Sequence, residues 1–96
     1  MKATLHLHQK RVFKNGSVLE MKLWEIKKSG SYPDGIRYSL IFVNPKSGKK
    51  VLMDNHNPKG HHYHIDEEEF DYDFKDINQL IEDFKSLVKV HMGVLI

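Results

Sequence analysis

Hydrophobic and polar residues alternate through most of the first half of the chain, which is typical of β-strands that bury one face. The Asn15-Gly16 pair interrupts the alternation and strongly favours a two-residue hairpin turn. With this pair at the tip, the register that follows places Arg11 opposite Glu20, an opposite-charge pair across the strands. A third strand is predicted over Ile36–Val43. Because its later part is apolar on both sides, we expect it in the centre of the sheet.

The second half of the chain predicts shorter strands and one helix. A strand over residues 51–54 leads into a histidine-rich segment, and alternating aromatic and acidic residues over 70–74 indicate a half-buried edge strand. Apolar residues then recur at helical spacing over residues 77–91 and form one stripe. Asp76 is placed to cap the start of this helix, and Gly93 is placed to end it.

These elements predict an α+β fold, an antiparallel β-sheet of about four to six strands with one C-terminal α-helix packed across it. The length of 96 residues favours a single domain over residues 1–96. The absence of cysteine excludes disulfides, zinc–thiolate sites and thiol catalysis. A net charge of +2 is too small to indicate nucleic-acid binding by itself. Because the chain shows neither a secretory signal nor a membrane-spanning run, we expect a cytoplasmic protein without membrane contact.

Seven histidines are the unusual feature of the composition, and four of them lie within residues 54–64. The Asn-Pro-Lys-Gly stretch inside this segment favours a type I turn, which folds two strands against each other. In the second strand His62 and His64 point to the same side. Two registers are open: one pairs Asn55 with His62 and leaves Asp54 on the other face. A one-residue slip brings Asp54 beside the two histidines.

The first interpretation of this segment is proton transfer at a phosphodiester. Neutral and protonated histidine coexist near neutral pH, so His62 and His64 can act as general base and general acid. Cleavage of RNA by its own 2′-hydroxyl needs such a pair and a cation for the developing negative charge, which Lys59 can supply. Asp54 can orient one of the imidazoles and select its tautomer.

Two other interpretations compete with the first. The two histidines with a carboxylate suit zinc or another divalent transition metal, although the spacing matches no strong metal motif. Alternatively, the histidines are polar residues on a solvent-facing hairpin with no chemical role. The acidic run over residues 66–69 is interpreted as a solvated loop, and Trp24 as a core residue.

Four motifs follow one another along the chain: Leu52-Met53-Asp54-Asn55-His56, Lys59-Gly60-His61-His62-Tyr63-His64, the aromatic–acidic stretch at 70–74 and Leu80-Ile81-Glu82-Asp83-Phe84. In these motifs the chain resembles the TumE-like toxin family of prokaryotic toxin–antitoxin systems. They match the family's Asp-Asn-x pair, its Gly-Lys or Lys-Gly turn, its His-x-His motif and its Leu-x-x-Asp-Phe helix. His61 stands where the family often has Asp. If an acidic residue there supports a histidine, that role is missing or has moved to Asp54 or Glu67.

The resemblance implies a small cytoplasmic toxin whose partner is a DNA-binding antitoxin. Combined with the histidine chemistry, it leads to the hypothesis of a ribonuclease that needs neither metal nor cofactor. Two alternatives remain open, a protein-binding module without enzymatic activity and a nuclease that depends on a divalent metal. The residues assigned to the hypothesis are His62, His64, Lys59 and Asp54 as catalytic groups and Asn55, His56 and His61 as contacts to RNA.

Overall fold

The protein is an antiparallel six-stranded sheet crossed by one helix, as predicted. The structure is a computed structural model and describes residues 3–96. The predicted domain limits also include residues 1 and 2, which lie outside the described residues. Each strand pairs with the next one along the chain, so the spatial order is β1-β2-β3-β4-β5-β6. The elements are β1 (Thr4–Val12), β2 (Val18–Glu25), β3 (Ile36–Val43), β4 (Lys50–Asp54), β5 (His62–Ile65), β6 (Glu68–Asp71) and α1 (Ile77–Met92).

The core lies between α1 and one face of the three central strands. Alternate residues of β2, β3 and β4 are buried, which is the period of two expected of strands with one covered face. From α1, Leu80, Phe84 and Val88 are fully buried, at the spacing of one helical stripe. Each such side chain stabilises the fold by about 1.5–3 kcal/mol. The sheet residues of the core are Leu19, Met21, Leu23, Tyr38, Leu40, Phe42, Val51 and Met53.

Both ends of α1 form as the sequence predicts. The side chain of Asp76 accepts a hydrogen bond from the backbone N–H of Gln79 at 2.7 Å, which satisfies a free donor of the first turn. Gly93 adopts the left-handed conformation at φ 68°, and its N–H donates to the carbonyl of Lys89 at 3.0 Å. The helix is therefore defined by local signals at each end and by its buried stripe between them.

The first hairpin differs from the prediction by one residue of register. The N–H of Gly16 donates to the carbonyl of Phe13 at 2.9 Å, so Lys14 and Asn15 form the centre of the turn. Gly16 follows with a φ of 86°, the left-handed residue that commonly accompanies a type I turn in a longer hairpin loop. Consequently Lys10, and not Arg11, lies opposite Glu20.

The sheet face turned away from α1, called the open face below, carries mainly polar and charged side chains along its middle. Trp24, predicted as a core residue, lies on this face and is partly exposed, with the Arg37 guanidinium 5.8 Å from its ring centroid. Lys22 and Ser39 follow as the next cross-strand pair. Among the described residues 3–96, no helix is long and apolar enough to cross a membrane.

Candidate functional site

The histidine-rich segment forms a hairpin between β4 and β5, in one of the two registers that the sequence leaves open. Asp54 lies opposite His62, so both side chains project from the open face. The turn that precedes β5 is closed by the N–H of Lys59, which donates to the carbonyl of His56 at 3.1 Å. It therefore begins one residue earlier than the predicted Asn-Pro-Lys-Gly turn. Asp54 is consequently on the same side as the two histidines.

His62 is held in place through both of its ring nitrogens. Its Nε2 atom lies 3.1 Å from Oδ1 of Asp54, and its Nδ1 atom lies 2.8 Å from the carbonyl oxygen of Gly60. Both neighbours are acceptors, so both contacts are hydrogen bonds at the same time only when the ring carries two protons. The residue is buried, with 4% of its surface exposed. The fold thus fixes the orientation of this imidazole.

His64 lies beside His62 and contacts Glu69 of the edge strand β6. The two imidazole centroids are 5.0 Å apart in an edge-on arrangement, and Nε2 of His64 lies 3.3 Å from Oε1 of Glu69. Lys59 reaches the same oxygen, with its Nζ atom at 2.6 Å. This charge-assisted hydrogen bond lowers the pKa of Glu69. Lys59, His64 and Glu69 therefore form a continuous polar cluster with His62.

Glu69 belongs to this cluster, although the sequence predicted that the acidic run over residues 66–69 is a solvated loop. The edge strand begins at Glu68, earlier than the predicted strand at 70–74, and its register sets Glu69 opposite His64. Extending the aromatic–acidic alternation back into the acidic run is the signal that points to this position. Glu67, one of two acidic residues considered as support for a histidine, lies in the exposed turn before β6, whereas Asp54 contacts His62.

Asn55 serves the fold at the end of β4. It is buried, its side-chain oxygen accepts the backbone N–H of Tyr38 at 2.9 Å, and its amide donates to the carbonyl of Ile36 at 2.9 Å. Asn55 therefore ties the start of β3 to the end of β4, where the strand pairing has stopped. Asn55 therefore anchors the β4 end of the hairpin to β3.

His61 lies apart from the other predicted site residues. Its Nδ1 atom is 3.0 Å from the hydroxyl of Tyr38, whose ring is in the core, and its Nε2 atom is 2.7 Å from Oδ2 of Asp34. The ring also stacks on Phe74, with centroids 4.7 Å apart. His61 thus connects the loop before β3, the core and the segment before α1. The structure does not bring its side chain to His62 and His64.

A polar cavity of about 280 Å³ opens on the open face next to Asp54. His56 lies at its edge, with Nδ1 at 3.5 Å from Nη2 of Arg37. Sequence reasoning missed Arg37, because a single basic residue within a strand carries no pattern of its own. The cavity is lined by Glu20, Lys22, Trp24, Arg37, Tyr38, Ser39, Asp54 and His56.

The same cluster offers nitrogen and oxygen ligands to a metal. One ligand atom from each of His62, His64 and Glu69 lies within 4.8 Å of the other two. Two imidazoles and one carboxylate are a donor set that zinc accepts in proteins. The arrangement can thus transfer protons or bind a dication, and both uses draw on the same nitrogen atoms.

The fold and the site define a small α+β protein with a histidine–carboxylate cluster on the open face of its sheet. A family model described as Toxin TumE matches residues 2–91, and the chain therefore belongs to the TumE toxin family. The protein is accordingly a toxin of a toxin–antitoxin system, and its partner is an antitoxin. No curated protein and no solved structure matches the chain.

Proposed function

We propose that this toxin cleaves RNA without a metal, using His62 and His64 to transfer protons and Asp54 to position His62. The observation that carries the proposal is the contact between Nε2 of His62 and Oδ1 of Asp54 at 3.1 Å, with the His64 ring 5.0 Å away on the same face. A carboxylate that orients one imidazole beside a second, more accessible imidazole is suited to paired acid–base catalysis.

The reaction is transfer of the phosphodiester to the neighbouring ribose hydroxyl. The base removes the proton of the 2′-hydroxyl, and the 2′-oxygen forms a bond to phosphorus. The bond from phosphorus to the 5′-oxygen then breaks, and the acid gives that oxygen a proton. The products are a 2′,3′-cyclic phosphate and a 5′-hydroxyl, so no water or metal enters this step.

The hydrogen bonds suggest which histidine takes which role. His62 has an acceptor facing each ring nitrogen, so both N–H groups of the form that a general acid requires have a hydrogen-bond partner. His64 is more exposed, with 24% of its side chain accessible, so a ribose hydroxyl can approach it directly. We therefore assign the acid to His62 and the base to His64.

Two cations lie next to residues of the proposed site and can stabilise the phosphate. Lys59 is the residue expected from the sequence, and it must share its contact with Glu69 in order to do so. Arg37 lines the cavity beside Asp54, and its planar guanidinium suits a phosphate group. A cation at either position stabilises the negative charge that develops as the 2′-oxygen attacks.

The remaining predicted residues divide into two groups. His56 lies at the edge of the cavity and suits a contact to RNA. Asn55 and His61 are bound inside the fold, so they act by holding the hairpin in place. The partner that controls the toxin is proposed to be a DNA-binding antitoxin, which is the arrangement that the family resemblance implies.

The test is RNA cleavage by the purified toxin in the presence of a chelator. We expect cleavage that leaves 2′,3′-cyclic phosphate ends, and a loss of about 10²–10⁴-fold in the His64→Gln variant. His91→Gln changes an exposed histidine on α1 and serves as the matched control. Undiminished cleavage by folded His64→Gln protein rules out the assigned base.

The alternatives have distinct outcomes in the same assay. Cleavage that disappears on chelation favours the metal-dependent nuclease, for which the ligand set of His62, His64 and Glu69 is available. An absence of cleavage together with tight binding of the antitoxin favours a protein-binding module that lacks enzymatic activity.

A further inference from the structure

The cluster at the β4–β5 hairpin has a second use besides proton transfer. We propose that His62, His64 and Glu69 bind Zn²⁺, and that the bound metal inhibits the toxin by occupying the nitrogens that transfer protons. The inhibition rests on the proposed ribonuclease function, whereas the binding does not.

The distances within the cluster are close to those of a zinc site. Ligands at 2.0–2.1 Å from a tetrahedral zinc are about 3.4 Å apart. Nε2 of His64 and Oε1 of Glu69 are already 3.3 Å apart. All three ligand atoms are within 4.8 Å of one another, so the site closes by side-chain shifts of about 1 Å.

The second ring nitrogen of His62 is arranged as it is in metal-binding histidines. A histidine that ligates a metal commonly donates its other N–H to a backbone carbonyl, which fixes the tautomer. Nδ1 of His62 lies 2.8 Å from the carbonyl oxygen of Gly60, which leaves Nε2 as the ligand atom. Zinc then takes the place of the Nε2 proton that faces Asp54, and the Asp54 carboxylate adds negative charge beside the dication.

Lys59 competes with the metal for the Glu69 carboxylate. Its ammonium lies 2.6 Å from Oε1 of Glu69 and pairs with that carboxylate in this structure. The Lys59 side chain is 59% exposed, so it can move into solvent when a dication binds. Removing its charge should therefore tighten zinc binding, a direction opposite to that expected for the ligands themselves.

Zinc and RNA cleavage exclude each other at this site. A metal bound to Nε2 of both histidines leaves these nitrogens unable to accept or give up a proton in the proposed reaction. The toxin is then inactive while its fold is retained, and it becomes active again when the metal is removed. The availability of zinc would thus regulate the toxin through the same residues that carry out catalysis.

The binding experiment is a calorimetric titration of the full-length toxin with Zn²⁺, followed by Co²⁺ absorption spectra as a report on coordination. We expect one ion per chain, a loss of at least about tenfold in affinity for His64→Gln and for Glu69→Gln, and tighter binding for Lys59→Gln. His8→Gln is the control, because His8 faces Glu20 at 3.2 Å but is a single imidazole with one carboxylate. Equal affinity in the original protein, His64→Gln and Glu69→Gln overturns the site.

The inhibition experiment adds Zn²⁺ to the RNA cleavage reaction and then removes it with a chelator. Loss of cleavage at the concentration that fills the site, with recovery on chelation, supports the proposal. Cleavage that rises with Zn²⁺ overturns the inhibition and points to a metal-dependent nuclease. If no condition gives cleavage, the ribonuclease function and the inhibition fail together, while the titration still decides whether the site exists.

Discussion

Nε2 of His62 and Oδ1 of Asp54 are 3.1 Å apart because the two residues are cross-strand neighbours in the β4–β5 hairpin. The contact joins a buried imidazole to a carboxylate that also borders the cavity of the open face. Asp54 therefore connects His62 of the proposed proton-transfer pair to the cavity of the open face. Substituting Asp54 tests the positioning of His62 with less effect on folding than substituting the buried His62 itself.

The Asp54→Asn variant should remain folded and lose catalysis. The amide keeps the size of the side chain but lacks the negative charge that orients and stabilises a protonated His62. We expect kcat for RNA cleavage to fall about 10²-fold, with KM and the melting temperature little changed. A variant with full kcat would show that the contact is only structural, and partial recovery in Asp54→Glu would support the positioning role.

Asn55→Ala should destabilise the protein by at least about 2 kcal/mol. The substitution leaves the N–H of Tyr38 and the carbonyl of Ile36 without their buried partner, and each such loss costs about 1–3 kcal/mol. Chemical denaturation measures the change. Asn78→Ala, at an exposed position of α1, should change stability by less than about 0.5 kcal/mol. Equal stability of the two variants would contradict the role assigned to Asn55.

His61→Ala tests whether this histidine binds RNA or supports the fold. The substitution removes the stacking on Phe74 and leaves the buried hydroxyl of Tyr38 without a partner, at a cost of about 2 kcal/mol. We expect a lower melting temperature and unchanged RNA affinity below that temperature. Weaker RNA binding by the folded variant would restore His61 to the substrate site.

Tyr72→Phe should reduce the sensitivity of the protein to alkaline pH. Burial and a hydrogen bond to Asp83 at 2.6 Å raise the pKa of Tyr72, so folding favours the neutral phenol. A raised pKa gives stability that is present below the unfolded value of about 10 and is lost as pH rises above it.

The stability difference between the original protein and Tyr72→Phe should therefore shrink from about pH 8 to about pH 11. Denaturation curves at the two pH values measure it. The pKa of Tyr38 is raised mainly by burial, a cause that both proteins share, and further by the neighbouring Tyr72. A difference that stays constant would argue against the raised pKa of Tyr72.

Gly16→Ala should cost about 1 kcal/mol through the backbone alone. Gly16 has a φ of 86°, where a side chain is strained, although an added Cβ would meet nothing within 4 Å. Gly30 has equal space but no such φ, so Gly30→Ala should be neutral or stabilise by up to about 1 kcal/mol. Comparing the melting temperatures of the two variants therefore isolates the cost of placing a side chain at the positive φ of Gly16.

Local signals predicted the elements of the fold well, because caps and periodicity act over a few residues. Asp76 and Gly93 end the helix where the sequence places them. Asn15-Gly16 predicted the first hairpin but not its register, because an Asn-Gly pair suits more than one loop length. A turn of one additional residue changes which side chains face each other along the whole hairpin.

The candidate site was harder to predict because four separate strands, β3 to β6, contribute to it. Leu52 and Met53 are both apolar, so hydrophobicity alone does not decide which face of β4 carries Asp54. Glu69 reaches His64 only because β6 pairs with β5, and Arg37 reaches the cavity from β3. Such contacts depend on register, which local pattern does not determine.

The order of the strands also determines when each strand meets its partner during synthesis. Each strand pairs with the one made just before it, whereas α1 follows all six. During translation the sheet can thus assemble strand by strand, while its apolar face stays uncovered until Leu80, Phe84 and Val88 have left the ribosome. The helix α1 is therefore the element that shields the apolar face of the sheet from solvent.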